Sequence, residues 1–114
     1  MTIFGKEVCV FLKGQAKEAF LELKKRTDKQ SISLVRAIER KIEILKENPQ
    51  FGDPVKKELI PAKMLDYGIK NIYRIELPNF WRMIYTLEGN QVEILIFVLT
   101  IQDHKDYNKL FGYK

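Results

Sequence analysis

Six side chains in the last third of the chain have the chemistry needed to bind a phosphate group and to move a proton. Guanidinium and ammonium groups bind phosphate oxygens through charge-assisted hydrogen bonds. An imidazole gains and loses a proton near neutral pH, which suits it to general acid and base catalysis. The six side chains are Arg74, Arg82, His104, Lys105, Tyr107 and Tyr113.

Cleavage of RNA by its own 2′-hydroxyl is one reaction that these groups could support. The reaction needs a base for the hydroxyl, positive charge for the phosphorane-like transition state, and an acid for the leaving 5′-oxygen. We assign proton transfer to His104 and stabilisation of the non-bridging oxygens to Arg82. Lys105 and Arg74 would contact the RNA backbone, and Glu76 is a further candidate for the general base.

The aromatic residues of the C-terminal segment have two interpretations. Tyr107 or Tyr113 could stack on a nucleobase or donate a proton. If the segment is helical, His104, Tyr107 and Phe111 lie along one side of it. The alternative is that Tyr107 and Phe111 only anchor the segment to the sheet and leave His104 on the surface.

Length and composition predict one soluble domain that spans residues 1–114. The chain has 46% hydrophobic and 31% charged residues, as globular proteins do. A single cysteine, Cys9, excludes an internal disulfide and favours a cytoplasmic location. With one histidine the sequence predicts no metal site, and the longest apolar run, 94–99, is far short of the ~20 residues of a membrane span. The N-terminal residues lack a signal-peptide pattern.

The net charge of +5 comes mainly from the first third of the chain, where residues 1–30 hold seven Lys or Arg against four acids. Basic residues at 24–26 are typical of a solvated helix end, next to the negative terminus of the helix dipole. Contact with an RNA backbone is the other interpretation, because excess positive charge also favours nucleic-acid binding.

The first half of the chain predicts a strand followed by two helices. Residues 7–12 are β-branched and aromatic, and Gly14 ends the strand. Apolar residues then recur at helical spacing in a first helix that should stop near residues 27 and 28. A second helix, capped by Ser31 or Ser33, should end at Asn48-Pro49. The apolar stripes are Ala16, Ala19, Phe20 and Leu23, then Leu34, Ala37, Ile38, Ile42 and Leu45. Residues 50–70 predict a loop, with one short helical turn or strand near 57–60.

Alternation of side chains predicts the register of two hairpins. A three-residue connection over 78–80 pairs Leu77 with Trp81, and a tight turn at residues 89–90 pairs Leu87 with Val92. The apolar face, which the helices should cover, then holds Tyr73, Ile75, Leu77, Trp81, Met83, Tyr85, Leu87, Val92, Ile94, Ile96 and Val98. The other face is a shallow mixed surface with Arg74, Glu76, Arg82, Ile84, Leu95, Phe97 and Leu99. On that face Arg82 could instead simply pair with Glu76.

This order of elements resembles the RelE/ParE superfamily of type II toxin–antitoxin toxins. The resemblance rests on residues 71–77, on the aromatic-Arg-x-x-Tyr strand over 80–87, and on 92–113. It implies an α+β fold, with two N-terminal helices packed on one face of a twisted, mostly antiparallel four-stranded sheet and a short C-terminal helix.

The resemblance also implies a function, because ribonuclease members of this superfamily cut mRNA in the ribosomal A site. Position by position it implies the catalytic residues Arg82, His104, Tyr107 and Lys105 and the RNA-binding residues Arg74, Lys105 and Tyr113. It implies no cofactor or metal, and as partners mRNA, the ribosome and a cognate antitoxin that would contact Phe51, Leu65, Trp81 or the mixed face. The chain departs from the family at residues 102–105, where many members have Gly-basic-Arg. A ParE-like DNA gyrase inhibitor or a catalytically inactive binding module therefore remains an alternative.

Overall fold

The protein folds into a single sheet that carries helices on both faces. The computed structural model describes residues 2–3, 6–89 and 92–112. Its strands are β1 Thr2–Ile3, β2 Lys6–Leu12, β3 Asp53–Pro54, β4 Tyr73–Glu76, β5 Arg82–Gly89 and β6 Glu93–Gln102. Its α-helices are α1 Gly14–Lys25, α2 Lys29–Glu47, α3 Ala62–Asp66 and α4 His104–Phe111, and 3-10 turns cover Lys57–Leu59 and Pro78–Phe80.

The sheet confirms the α+β class but has more strands than the sequence predicted. The strand order is β1-β2-β6-β5-β4-β3, so the predicted four-stranded sheet corresponds to its central strands. The two additional strands are two-residue edges, too short to leave an alternation pattern in the sequence. The β2 and β6 strands pair in parallel and every other pair is antiparallel.

The start of the second helix differs from the prediction. Asp28 is the N-cap, and its carboxylate accepts a hydrogen bond of 3.0 Å from the backbone N–H of Ser31. The predicted caps Ser31 and Ser33 both lie inside α2, so that prediction was wrong. A carboxylate serves better here because its charge also interacts with the positive helix terminus. The hydrogen bonds from Ser31 hold the pKa of Asp28 below its usual value.

The first hairpin has the predicted register and the second does not. Arg82 lies opposite Glu76, as a three-residue connection requires. In the second hairpin Leu87 lies opposite Ile96 rather than Val92, which is 66% exposed instead of buried. The connection is longer than a tight turn, and its residues 90 and 91 lie outside the described residues. Because the register moved by an even number of residues, Ile96 keeps its predicted face.

An irregularity in the β5–β6 pairing explains why two residues of opposite parity in β6 are both buried. The register shifts between Ile84 and Tyr85, so that Tyr85 faces Val98 whereas Met83 faces Ile101. Val98 and Ile101 are consequently both fully buried in one cluster. A β-bulge of this kind bends the strand and re-aims the side chains that follow it. The residues that follow in β6 lead directly into α4.

The face under α1 and α2 holds the main hydrophobic core. Both helices contribute their predicted apolar stripes, and the buried members of the cluster are Val8, Ala16, Leu23, Leu34, Ala37, Ile38, Leu45, Ile75, Leu77, Met83, Tyr85, Ile96, Val98 and Ile101. Removal of this much apolar surface from water is the main stabilising contribution to the fold. Among the described residues, no helix has the length and apolar character needed to cross a bilayer.

The opposite face is covered more than the sequence predicted. A second cluster buries Ile60, Met64, Ile72, Ile84 and Tyr107 beneath α3 and α4. The sequence predicted the turn at 57–59 but not α3, whose single turn shows no periodic pattern. The part of this face on β2 and β6 remains more exposed, and there the rings of Phe11 and Phe97 stack at 5.6 Å. The mixed face is therefore half covered.

Candidate functional site

Two neighbouring strands bring the candidate basic residues onto the half-covered face. Arg74 is on β4, and Arg82 begins β5. Arg82 lies opposite Glu76 on one side and opposite Gln102 of β6 on the other. Since side chains directly across a sheet point to the same face, these groups all point away from α1 and α2. This is the orientation that the alternation predicted.

Tyr107 of α4 contacts both arginines. The guanidinium carbon of Arg82 lies 4.6 Å from the centroid of the Tyr107 ring, a cation–π distance. The side chain of Arg74 makes a hydrogen bond with Tyr107, and this bond raises the pKa of Arg74 above its already high value. Tyr107 is only 1% exposed. It therefore holds two cations in place from beneath, at the edge of the second cluster.

Arg74 is further fixed by Asp53 of β3. One nitrogen of its guanidinium lies 3.9 Å from a carboxylate oxygen of Asp53. The Nε atom of Arg74 is buried, and no hydrogen-bond partner for it is found in the part of the chain that the structure describes. Leaving a buried N–H group unpaired is energetically unfavourable.

The imidazole enters this region because α4 begins immediately after β6. Asp103 caps the helix by accepting a 3.0 Å hydrogen bond from the N–H of Asp106, which makes His104 the first helical residue. The end of β6 is held from the other side by Gln15, whose side-chain amide bonds both backbone groups of Ile101, at 2.9 and 2.8 Å. The position of His104 is thus determined by two neighbouring elements.

His104 lies in the same region as Arg82. It is one helical turn before Tyr107, whose ring contacts Arg82. Its own ring meets Phe80, two residues before Arg82, with 5.9 Å between the ring centroids and an edge-to-face angle of 66°. His104 is exposed to solvent. An exposed imidazole can exchange protons with the hydroxyl groups of a bound RNA.

The remaining predicted residues have different placements. Lys105 is exposed and follows His104 on α4, whereas Tyr113 lies outside the described residues. Glu76 is exposed, and no ion pair joins it to Arg82 in the part of the chain that the structure describes, although the two face each other. The alternative interpretation, in which Arg82 simply pairs with Glu76, is therefore not what the structure shows. Among the described residues, no three His, Cys, Asp or Glu residues come together as a metal site would require.

The pattern of the sequence assigned no role to three further residues at or near this site. Phe80 touches the imidazole, and the side-chain oxygens of Thr100 and Gln102 are buried and have no hydrogen-bond partner among the described residues. The two β6 residues help to line a cavity of about 370 Å³ between α3, α4 and β6. Their position could not be read from alternation alone, since the bulge and the short α3 determine it.

Comparisons with protein-family models, with curated proteins and with solved structures found no match.

Proposed function

We propose that this protein is a metal-independent endoribonuclease of the RelE kind, the toxin of a type II toxin–antitoxin system that cuts mRNA on the ribosome in the cytoplasm. The observation that carries the proposal is the contact of one buried tyrosine, Tyr107, with both Arg82 and Arg74, one helical turn from the exposed His104. Two fixed cations beside an imidazole are what an RNA transesterification needs.

In the proposed reaction the 2′-oxygen of one nucleotide attacks its own 3′-phosphorus. A bond forms between the 2′-oxygen and phosphorus, and the bond between phosphorus and the 5′-oxygen breaks. Glu76 takes the proton of the 2′-hydroxyl, and protonated His104 gives a proton to the departing 5′-oxygen. Arg82 stabilises the extra negative charge on the non-bridging oxygens. The products are a 2′,3′-cyclic phosphate and a 5′-hydroxyl, and solvent returns the protons to their starting groups.

Burial determines the role proposed for Tyr107. A side chain that is 1% exposed cannot stack on a nucleobase, so Tyr107 is proposed to act through the arginines that it contacts. Its ring supports Arg82, and its hydroxyl binds Arg74. Arg74 and the exposed Lys105 are then available for the phosphates on either side of the cleaved bond. Tyr107 is a positioning residue in this proposal.

The test is cleavage of mRNA in a cell-free translation extract. The natural chain should shorten the mRNA and stop protein synthesis, and the cut ends should carry a 2′,3′-cyclic phosphate. Replacement of Arg82 by Ala should slow cleavage about 100-fold or more, as removal of a transition-state donor does. His104→Ala should slow it by a similar factor.

The matched control is Lys17→Ala, which removes an exposed cation from α1, the helix layer on the other side of the sheet. It should cleave at the natural rate. An mRNA with a 2′-deoxynucleotide at the mapped cleavage position should resist cutting, since it lacks the attacking oxygen. Intact mRNA at saturating protein would refute the nuclease proposal. Loss of DNA supercoiling by gyrase in the same extract would favour the ParE-like alternative, and no effect on either would favour a binding module.

An antitoxin is the protein partner that this proposal requires. The exposed half of the mixed face offers it an aromatic surface, with Phe11 44% exposed and stacked on Phe97. The ammonium group of Lys13 lies over both rings, at 5.7 and 5.4 Å. An acidic segment with apolar residues, laid along this surface, would cover the rings and neutralise the lysine. Growth arrest on expression, relieved by a short acidic protein encoded beside this chain, would support the pairing.

A further inference from the structure

The connection between β4 and β5 has an unfavourable backbone. Asn79 has φ 61° and Phe80 has φ 63°, both in the left-handed region. Asparagine tolerates this region, but a bulky aromatic residue rarely adopts it, because its Cβ atom approaches the carbonyl oxygen too closely. Strained residues of this kind persist where the surrounding structure imposes them, and they are concentrated at functional sites.

The side chain of Phe80 gains little from this conformation. It is 76% exposed, although burial of a phenylalanine is among the larger stabilising contributions in a protein. Its described ring contact is the edge-to-face contact with His104, at 5.9 Å between centroids. Folding therefore places a large apolar ring in water, in a strained conformation, beside the imidazole. Both features are unfavourable for the isolated chain.

We propose that Phe80 is the stacking platform of a nucleobase subsite, which takes one unpaired base of a single-stranded RNA next to the cleaved bond. The inference rests on the proposed function, since it places an RNA at His104. Single-stranded RNA is recognised chiefly by stacking of unpaired bases on aromatic side chains. A ring that is exposed and held in one place by the backbone loses little conformational entropy when a base stacks on it.

A basic groove borders the same connection from the other side. It has a volume of about 430 Å³ and is lined by Pro78 and by one face of α2, including Lys29, Arg36 and Arg40. None of these three cations takes part in an ion pair within the described residues. Unpaired cations along a groove bind the phosphates of a nucleic acid without regard to its sequence. An RNA whose base lies on Phe80 would therefore find cations along its backbone in this groove.

The experiment measures the affinity of the whole chain for a single-stranded RNA octamer in which every 2′-hydroxyl is methylated, so that the RNA cannot be cut. Each position is replaced in turn by an abasic nucleotide. For the natural chain, one abasic position should weaken binding about fivefold to 100-fold, the usual contribution of a stacked base. In Phe80→Ala that same position should have no effect, because the platform is gone. Phe80→Tyr should restore the natural pattern.

Three further variants separate stacking from charge and from folding. Arg36→Ala should weaken intact and abasic octamers equally, since it removes a phosphate contact and no base contact. Asn79→Gly should leave both the unfolding temperature and the abasic pattern nearly unchanged, since asparagine already tolerates the left-handed region. Phe80→Gly should raise the unfolding temperature, because it relieves the strained aromatic residue, while losing the pattern.

The outcomes distinguish this inference from the proposed function. If Phe80→Ala binds and discriminates as the natural chain does, or if no octamer binds, the stacking platform is refuted. If that variant still cleaves mRNA at the natural rate, the nuclease proposal is retained and only the stacking platform is rejected. A Phe80-dependent pattern in a chain that never cuts mRNA would keep the platform and refute the nuclease.

Discussion

The two faces of the sheet are built on different principles, although the same strands form both. Under α1 and α2 the core is apolar, and the phenol of its buried Tyr85 is fully paired: it donates to the Pro49 carbonyl at 2.7 Å and accepts from the Gly52 N–H at 2.9 Å. On the opposite face a smaller cluster lies beside two arginines, and three buried polar atoms of the described residues there have no hydrogen-bond partner. The helix-covered face therefore contributes most of the stability of the fold.

Gly52 shows how tightly the helix-covered face is assembled. A Cβ atom at this position would lie 2.8 Å from a ring carbon of Tyr85 and 3.1 Å from the backbone oxygen of Arg74. Only glycine allows the chain after α2 to approach the tyrosine closely enough to donate its N–H group. Phe80, in contrast, is 76% exposed.

The largest effect should come from the core under the helices. Ile38 of α2 is fully buried, and Ile38→Ala should lower the free energy of unfolding by about 3 to 4 kcal/mol, as the lost burial and the cavity combine. Urea unfolding followed by circular dichroism measures it. Ile32→Ala on the exposed side of the same helix should cost less than about 1 kcal/mol. Equal losses at the two positions would contradict the assignment of the main core to this face.

Tyr85 tests the pairing in that core. Tyr85→Phe leaves the Pro49 carbonyl and the Gly52 N–H buried without partners, and it should cost about 2 to 3 kcal/mol. Tyr73→Phe is the control, since the Tyr73 ring stacks on Tyr85 at 5.1 Å and its hydroxyl makes no described hydrogen bond. It should change the free energy of unfolding little.

The stability difference between the natural chain and Tyr85→Phe should also depend on pH. Burial raises the pKa of Tyr85 to about 12, from an ordinary value of 10.0. The folded chain therefore holds the phenol proton more tightly than the unfolded chain. This contribution to stability is complete below pH 10 and is lost as the pH rises from about 10 to about 12. The stability difference between the natural chain and Tyr85→Phe should narrow over that interval, and a constant difference would contradict the assignment.

Two threonines on the opposite face should respond with opposite signs. Thr100 is 8% exposed and its hydroxyl has no hydrogen-bond partner within the described ranges, so Thr100→Val should raise the free energy of unfolding by about 1 kcal/mol. Thr86 donates to the Asn71 carbonyl at 2.7 Å, and Thr86→Val should lower it by about 1 kcal/mol. Thermal unfolding of both variants and of the natural chain measures the sign of each change. A loss of stability in Thr100→Val would show that its hydroxyl is paired.

A small change in stability should come from Arg74, which is proposed to contact the RNA backbone. Arg74→Met removes a partly buried cation whose ion pair with Asp53 is long, at 3.9 Å, and partly exposed, and it also removes the hydrogen bond with the buried Tyr107. The ion pair should contribute less than about 1 kcal/mol to the free energy of unfolding, and the loss of the hydrogen bond should add about 1 kcal/mol. RNA binding should nevertheless weaken, which a salt titration of octamer affinity would reveal. A large loss of stability would mean that Arg74 serves the fold rather than a ligand.

The sequence predicted the features that depend on periodicity. Both long helices, the β4–β5 register and the orientation of Arg82 followed from the spacing of apolar residues, because a hydrophobic face must meet a core. The prediction failed for local features, such as a helix cap or a turn length, for which several arrangements have nearly equal free energies. Asp28 caps α2 instead of a serine, Leu87 pairs with Ile96 instead of Val92, and α3 is too short to leave a pattern.

For the candidate site, the sequence by itself determined which chemical groups are present and which strand face carries the arginines, since alternation depends only on neighbouring residues. Only the tertiary structure decided that Tyr107 is buried between Arg74 and Arg82, and that Phe80 stands exposed against His104. Those contacts join segments far apart in the chain. They depend on a bulge, a strained connection and the packing of α4, whose energies are small and compete with one another, and no local pattern in the sequence records their balance.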